Sequence, residues 1–203
     1  MEELNVINAE PKTGREQLSF NGSKIDYNLK DFWRWSVSDI LSNATRGRFA
    51  EFIVGTAIKI DPLKLRDEWD AYDLTTDDGI KIEVKSAAYI QAWHQKKYST
   101  ISFSIKPSKY WDAENNMQHS EPKRHADMYV FCVLKHKNQN TIDPLKMEQW
   151  EFYVVPTIDL DNYKRSQHSI TLKSLNKIAE PISYDSLEIK IKKEYERQKT
   201  HSN

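Results

Sequence analysis

The sequence predicts an α/β fold: a mixed central sheet flanked by helices. Three observations predict it. A glycine-ended bend, Asp77-Asp78-Gly79, joins two short runs of strand character. A continuous apolar run, ADMYVFCVL at 126–134, suits a central strand buried on both faces. Helical patterns precede the bend and close the chain, so the order is helix, hairpin, strands, helices.

Composition narrows the class. A chain of 203 residues has room for one substantial core. The expected organisation is an N-terminal arm at 1–24 and a single α/β domain at 25–203. The 38% hydrophobic and 11% aromatic content argues against disorder. The 30 Lys+Arg balance the 30 Asp+Glu. That counts a little against nucleic-acid binding, since a non-specific coat protein is usually clearly basic, yet leaves room for a local basic strip. One cysteine, Cys132, allows neither a disulfide within the chain nor a zinc cluster. It reads as a small core residue suited to a reducing, cytoplasmic setting. The N-terminal segment has no apolar h-region, and no apolar run approaches ~20 residues, so neither a secretory signal nor a membrane span is expected.

Taken in order, residues 31–42, DFWRWSVSDILS, read as a helix capped by Asp31. Trp33 and Trp35 are expected to serve packing rather than base stacking. Residues 45–60, TRGRFAEFIVGTAIKI, read as a second helix, capped by Asn43 or Thr45 and apolar nearly all round. Glu51 is the one carboxylate in that run. A buried carboxylate needs a partner, and Arg46, Arg48 and Lys59 are near in sequence. An ion pair and a functional role remain equally open for it. Pro62 ends the helix.

The stretch 69–86, WDAYDLTTDDGIKIEVKS, carries the most information. A three-residue loop ending at Gly79 makes Thr76 face Ile80 and Leu74 face Ile82. Continued regularly, that register sets Asp73 opposite Glu83, Tyr72 opposite Val84 and Ala71 opposite Lys85. Alternation then gives an apolar face of Tyr72, Leu74, Ile80, Ile82 and Val84. The other face holds Ala71, Asp73, Glu83 and Lys85. Two carboxylates directly across a ladder repel. A hard divalent cation between their oxygens removes the conflict, and Mg²⁺ accepts one or two carboxylates plus phosphate oxygens.

At Asp73, the turn, and Glu83-Val84-Lys85, the chain resembles the PD-(D/E)xK nuclease superfamily, whose fold is restriction-endonuclease-like. Glu-x-Lys also occurs at 10–12, 121–123 and 188–190, but only Glu83 has an aspartate brought to it by a hairpin. The departure is Tyr72, which stands where the name-giving proline would be. The resemblance covers roughly the region 45–135 as a core. It implies a Mg²⁺-dependent endonuclease acting on DNA, with Mn²⁺ able to substitute. Asp73, Glu83 and the Val84 carbonyl would hold the metal. Glu51 would be a further ligand, its helix covering the polar face of the hairpin. Lys85 would act on water or phosphate. It also nominates Gln91, since several relatives place a glutamine after the lysine-bearing strand; a solvent-facing amide is the other reading. Enzymes of this fold that cut both strands often form homodimers. A non-catalytic nucleic-acid-binding module that keeps the fold is the alternative.

Downstream, residues 86–99 read either as strand then loop or as a short helix. His94, Lys96 and Lys97 form a basic cluster that is either solvated or in contact with phosphate. TISFSI at 100–105 alternates like a half-buried strand. Residues 107–124, with Trp111, His119, Lys123 and Arg124, read as a working loop over a substrate groove. Asp127 suits a strand-end contact. WEFYVVP at 150–156 is a further strand, 157–163 and 171–179 hold short helices, and 185–198 is a charged surface helix capped by Asp185 with Glu188 in a capping box.

Overall fold

The computed structural model describes residues 7, 9–61, 63–66, 70–109, 111–112, 117–118 and 121–201. Pro62, Trp69, His119 and the extreme termini lie outside the described residues. Contacts divide the chain into two compact units, one of residues 1–39 and 61–66, the other of 40–60 and 67–203.

The smaller unit is a hairpin and a helix. Strands β1 (Gln17–Phe20) and β2 (Ser23–Asn28) pair antiparallel, with Phe20 opposite Ser23. Asn21 and Gly22 both have positive φ, 50° and 79°, the requirement of the tight turn between twisted strands. Helix α1 (Leu29–Val37) starts earlier than expected. Its cap is Asn28, whose Oδ1 accepts the Asp31 N–H at 3.2 Å, while Asp31 Oδ2 accepts the Asn28 N–H at 3.0 Å. Asp31 is thus the reciprocal partner in a capping box rather than the cap. Trp33 lies over Gly14, whereas Trp35 is 84% exposed and not packed as expected.

The larger unit is built on a mixed sheet. Its elements are helix α2 (Asn43–Ala57) and strands β3 (Leu74–Thr75), β4 (Lys81–Ala88), β5 (Ser102–Ser104), β6 (Trp111–Asp112), β7 (Met117–Gln118), β8 (Met128–Leu134) and β9 (Trp150–Pro156). Helix α3 (Thr157–Asp161), strand β10 (Ser169–Thr171), helix α4 (Leu172–Leu175) and helix α5 (Leu187–His201) follow. The central sheet runs β3-β4-β8-β9. β4 and β8 are parallel; β3 on β4 and β8 on β9 are antiparallel. All seven residues of β8 are buried, as a continuous apolar run in a central strand requires.

Each face of the sheet has its own core. Ala50, Ile53 and Val54 of α2 and Leu187 and Ile191 of α5 pack on Ile82, Val84, Val130 and Phe152. On the other face, Tyr129, Phe131, Val133, Tyr153 and Val155 meet Phe103, Leu160, Ile170 and Leu175. β5 pairs with β10 there, so the alternating TISFSI run buries Ile101, Phe103 and Ile105. The mixed α/β architecture matches the expectation.

Several local readings are corrected. Helix α2 is not buried all round: Phe52 is 53% exposed. Its N-cap is Ser42, not Asn43 or Thr45. Arg124 is not free over a groove; its guanidinium donates to the Ile105 and Gln167 carbonyls and pairs with Asp161. Residues 184–186 form a 3₁₀ turn before α5. The apolar stripe Leu187/Ile191 of α5 is fully buried despite the helix's charge. Asp127 keeps its strand-end role, accepting the Lys81 N–H at 2.9 Å. Among the described residues, no helix is long and apolar enough to cross a membrane.

Candidate active site

The site begins with the bend. Gly79 takes φ +80°, and its N–H donates to Thr76 O at 2.9 Å. Thr76 N–H donates to Ile80 O at 3.0 Å, and Leu74 pairs with Ile82. So far the expected register holds. One residue earlier it slips: the Asp73 N–H donates to Ile82 O at 3.0 Å, the residue already opposite Leu74. Two residues address one, the arrangement of a β-bulge, which re-aims side chains.

That slip corrects the expected Asp73–Glu83, Tyr72–Val84 and Ala71–Lys85 pairs. β3 begins only at Leu74, and Tyr72 crosses to the opposite face, where it packs against the core cluster that includes Tyr129 and Phe131 and lies under the Lys81 ammonium. Asp73 instead turns its carboxylate onto the bared edge of β4. Its Oδ2 accepts the Val84 N–H at 2.7 Å. A strand residue directs its N–H and C=O to the same edge. The Val84 carbonyl therefore faces the Asp73 side.

On β4, Ile82 and Val84 enter the core under α2, while Glu83 and Lys85 emerge on the other face, in register with Tyr129 and Phe131 of β8. Helix α2 thus covers the apolar face of β4, not its polar face as expected. The Lys85 ammonium pairs with Glu83 Oε1, and both side chains are mostly buried, at 31% and 20% exposure.

Electrostatics join these groups. The Asp73 carboxyl is pushed up to about 7. Burial is the largest cause, followed by the negative charges of Glu83 and then Glu51; the Val84 N–H and Lys85 oppose them. Glu51 therefore acts on Asp73 although α2 lies on the other face, because Asp73 stands at the sheet edge. Burial and Glu83 also push up the Tyr129 hydroxyl. Tyr129 is a neighbour of the acidic pair that the sequence hid inside an apolar run. Only the parallel register of β4 and β8 reveals it.

Gln91 has a different setting. Its Nε2 donates to Ala88 O at 2.8 Å and Ser99 Oγ at 3.2 Å, and its Oε1 accepts from Arg46 at 3.2 Å. None of these bonds goes to the acidic pair. Arg46, a sequence candidate for pairing with Glu51, is 1% exposed and also donates to Leu41 O and Asn43 Oδ1, both at 2.8 Å. Burial lowers its pKa. Arg46 and Gln91 fasten the start of α2 to the loop after β4.

Among the described residues, no three His, Cys, Asp or Glu side chains gather closely enough to cage a metal ion by themselves. Burial first, and then the carboxylates of Glu83 and Glu51, raise the Asp73 carboxyl, so the acidic groups acting on it offer hard oxygens. This set fits a hard divalent cation that keeps most of its own water and takes one or two carboxylates.

Against families of known proteins, the chain matches the family described as bacteriophage T4 endonuclease IV over residues 5–174. That span holds Glu51, Asp73, Glu83, Lys85 and Gln91 and stops within α4. A search of curated proteins returned no match.

Proposed function

The chain belongs to the bacteriophage T4 endonuclease IV family, and from that premise we propose that it is a metal-dependent endonuclease that hydrolyses DNA phosphodiester bonds at the Asp73–Glu83–Lys85 hairpin. The observation that carries this reading is geometric: Asp73 Oδ2 accepts the Val84 N–H at 2.7 Å, next to the paired Glu83 and Lys85, and burial with the charges of Glu83 and Glu51 raises its carboxyl. The closeness of Asp73 to Glu83-Val84-Lys85 supports the resemblance to the PD-(D/E)xK nucleases.

Asp73 and Glu83 would hold Mg²⁺, or Mn²⁺ in its place, with the Val84 carbonyl as a third oxygen. Bound there, the ion would offset charge on the scissile phosphate and lower the pKa of a bound water. Glu51 would order water or a second cation from the α2 side. The Val84 N–H, donated to Asp73 Oδ2 where the strand leaves the ladder, fixes the Asp73 carboxylate at the edge of β4. Lys85, paired with Glu83, would orient the attacking water or neutralise the phosphate. The buried free thiol Cys132 suits a cytoplasmic enzyme.

Cleavage of plasmid or oligonucleotide DNA with and without Mg²⁺ tests the assignment. Asp73→Ala and Lys85→Ala are each expected to lower the rate by at least about a hundredfold, the scale of one lost general acid–base or electrostatic group. Robust cleavage surviving both substitutions refutes it.

A further inference from the structure

A second feature of the larger unit lies away from the acidic pair. An open groove of about 840 Å³ is walled by the turn after β4 and the loop after β8. These strands are parallel neighbours, with Ala88 in register with Leu134, so the groove caps their shared end. Its walls carry Trp93, His94, Lys96, Lys97, Tyr98 and Lys137. Among the described lining residues, none is Asp or Glu. Charge is thus segregated here in a chain that is neutral overall.

The aromatic rings are presented outward. Trp93 is 58% exposed and Tyr98 53%. The walls are also held in place. Tyr98 OH donates to Lys137 O at 2.8 Å, joining the two loops. The Lys137 ammonium sits 4.2 Å from the Tyr89 ring centre. Gln95 bridges the turn, accepting the Gln91 N–H at 2.6 Å and donating to Ser99 Oγ at 3.0 Å. Such bonds set the groove's shape before any ligand arrives, which lowers the ordering cost of binding.

We propose that this groove is a polynucleotide-binding site, separate from the catalytic hairpin, that grips the substrate strand beyond the point of cleavage. Lys96, Lys97 and Lys137 take backbone phosphates, and Trp93 offers its face to an unstacked base. A cationic trough with exposed rings is the chemistry that holds a strand without reading its sequence. The inference rests on the reading that the substrate is a polynucleotide. It also sets a length. From Glu83 to Ala88 along β4 is about 17 Å at strand spacing. That is about five nucleotides at duplex spacing, and fewer where the strand is unstacked and extended. Oligonucleotides ending sooner on that side of the cut cannot use the groove.

The test measures binding of labelled DNA oligonucleotides in EDTA, where metal-dependent turnover is absent, across a salt series. Lys96→Ala/Lys97→Ala is expected to weaken binding by about five- to tenfold per lost phosphate contact near 0.1 M salt, and to reduce the salt slope by about 0.7–0.9 per contact. Trp93→Ala is expected to lose roughly tenfold with the slope unchanged. Cleavage at saturating DNA stays at the wild-type rate in both. All of these side chains are exposed, so the variants fold; a thermal melt checks it. Wild-type affinity and slope in both variants would overturn the groove. DNA binding that depends on these residues, in a protein that never cleaves, sinks the endonuclease reading and leaves the groove standing. Metal-dependent cleavage with unaltered binding in the variants does the reverse.

Discussion

Asp73 is the residue on which burial, backbone and charge converge. Its raised carboxyl has a direct consequence for stability. In the unfolded chain an aspartate ionises near its ordinary value of 3.8, in the folded one at about 7. The folded state therefore binds more protons between those values, and stability falls as pH rises through that window. Above it, the metal-free protein carries the full cost of an ionised Asp73. Asp73→Asn removes that cost while its carbonyl still accepts the Val84 N–H. Metal-free Asp73→Asn is expected to melt about 3 °C or more above wild type at pH 8, with no such gain near pH 4. Equal melting at both pH values contradicts the crowding of acids at this position. The candidates Asp73, Glu83 and Lys85 were legible in the sequence because a triplet and a bend lie within one short stretch. Tyr129 was not, because its place beside Glu83 comes from pairing between strands 46 positions apart in the chain.

The decisive element is the hairpin, and the decisive detail in it is the bulge. Alternation along the sequence identifies Ile82 and Val84 as core residues, and the structure agrees. The same alternation misplaces Tyr72, since period-two reasoning assumes an unbroken ladder. Nothing in the residue types announces that the Asp73 carboxylate, rather than a backbone carbonyl, takes the Val84 N–H. Helix α2 was misjudged for a related reason. Its apolar composition suggested burial on all sides, but only the Ala50/Ile53/Val54 side meets the sheet. The bend itself can be tested alone. A Cβ on Gly79 would meet no atom within 4 Å, so its cost comes from φ +80°. Gly79→Ala is expected to lose about 1–2 kcal/mol in denaturant melts. Because the bend sets where Asp73 leaves the ladder, its cleavage rate is expected to fall as well. An unchanged melt would mean the turn tolerates a side chain and does not constrain the site.

At the scale of the whole molecule, the sheet places two chemistries along one strand. The middle of β4 carries Glu83 and Lys85; its end opens into the cationic groove. The central strands were legible because an apolar run such as 128–134 has few alternatives in a chain with so many charges. The division into two compact units was not, since the smaller one joins residues 1–39 to 61–66 around the α2 segment. Binding of the proposed cation to the folded site would raise the stability of the larger unit by mass action, linking site and fold. The central claim is that Asp73 and Glu83 share that cation. A crystal soaked in Mn²⁺ and measured for anomalous scattering tests it most directly. The account predicts a peak about 2.0–2.2 Å from a carboxylate oxygen of each residue. A catalytically competent protein whose Mn²⁺ peak lies elsewhere, or touches neither carboxylate, would contradict it.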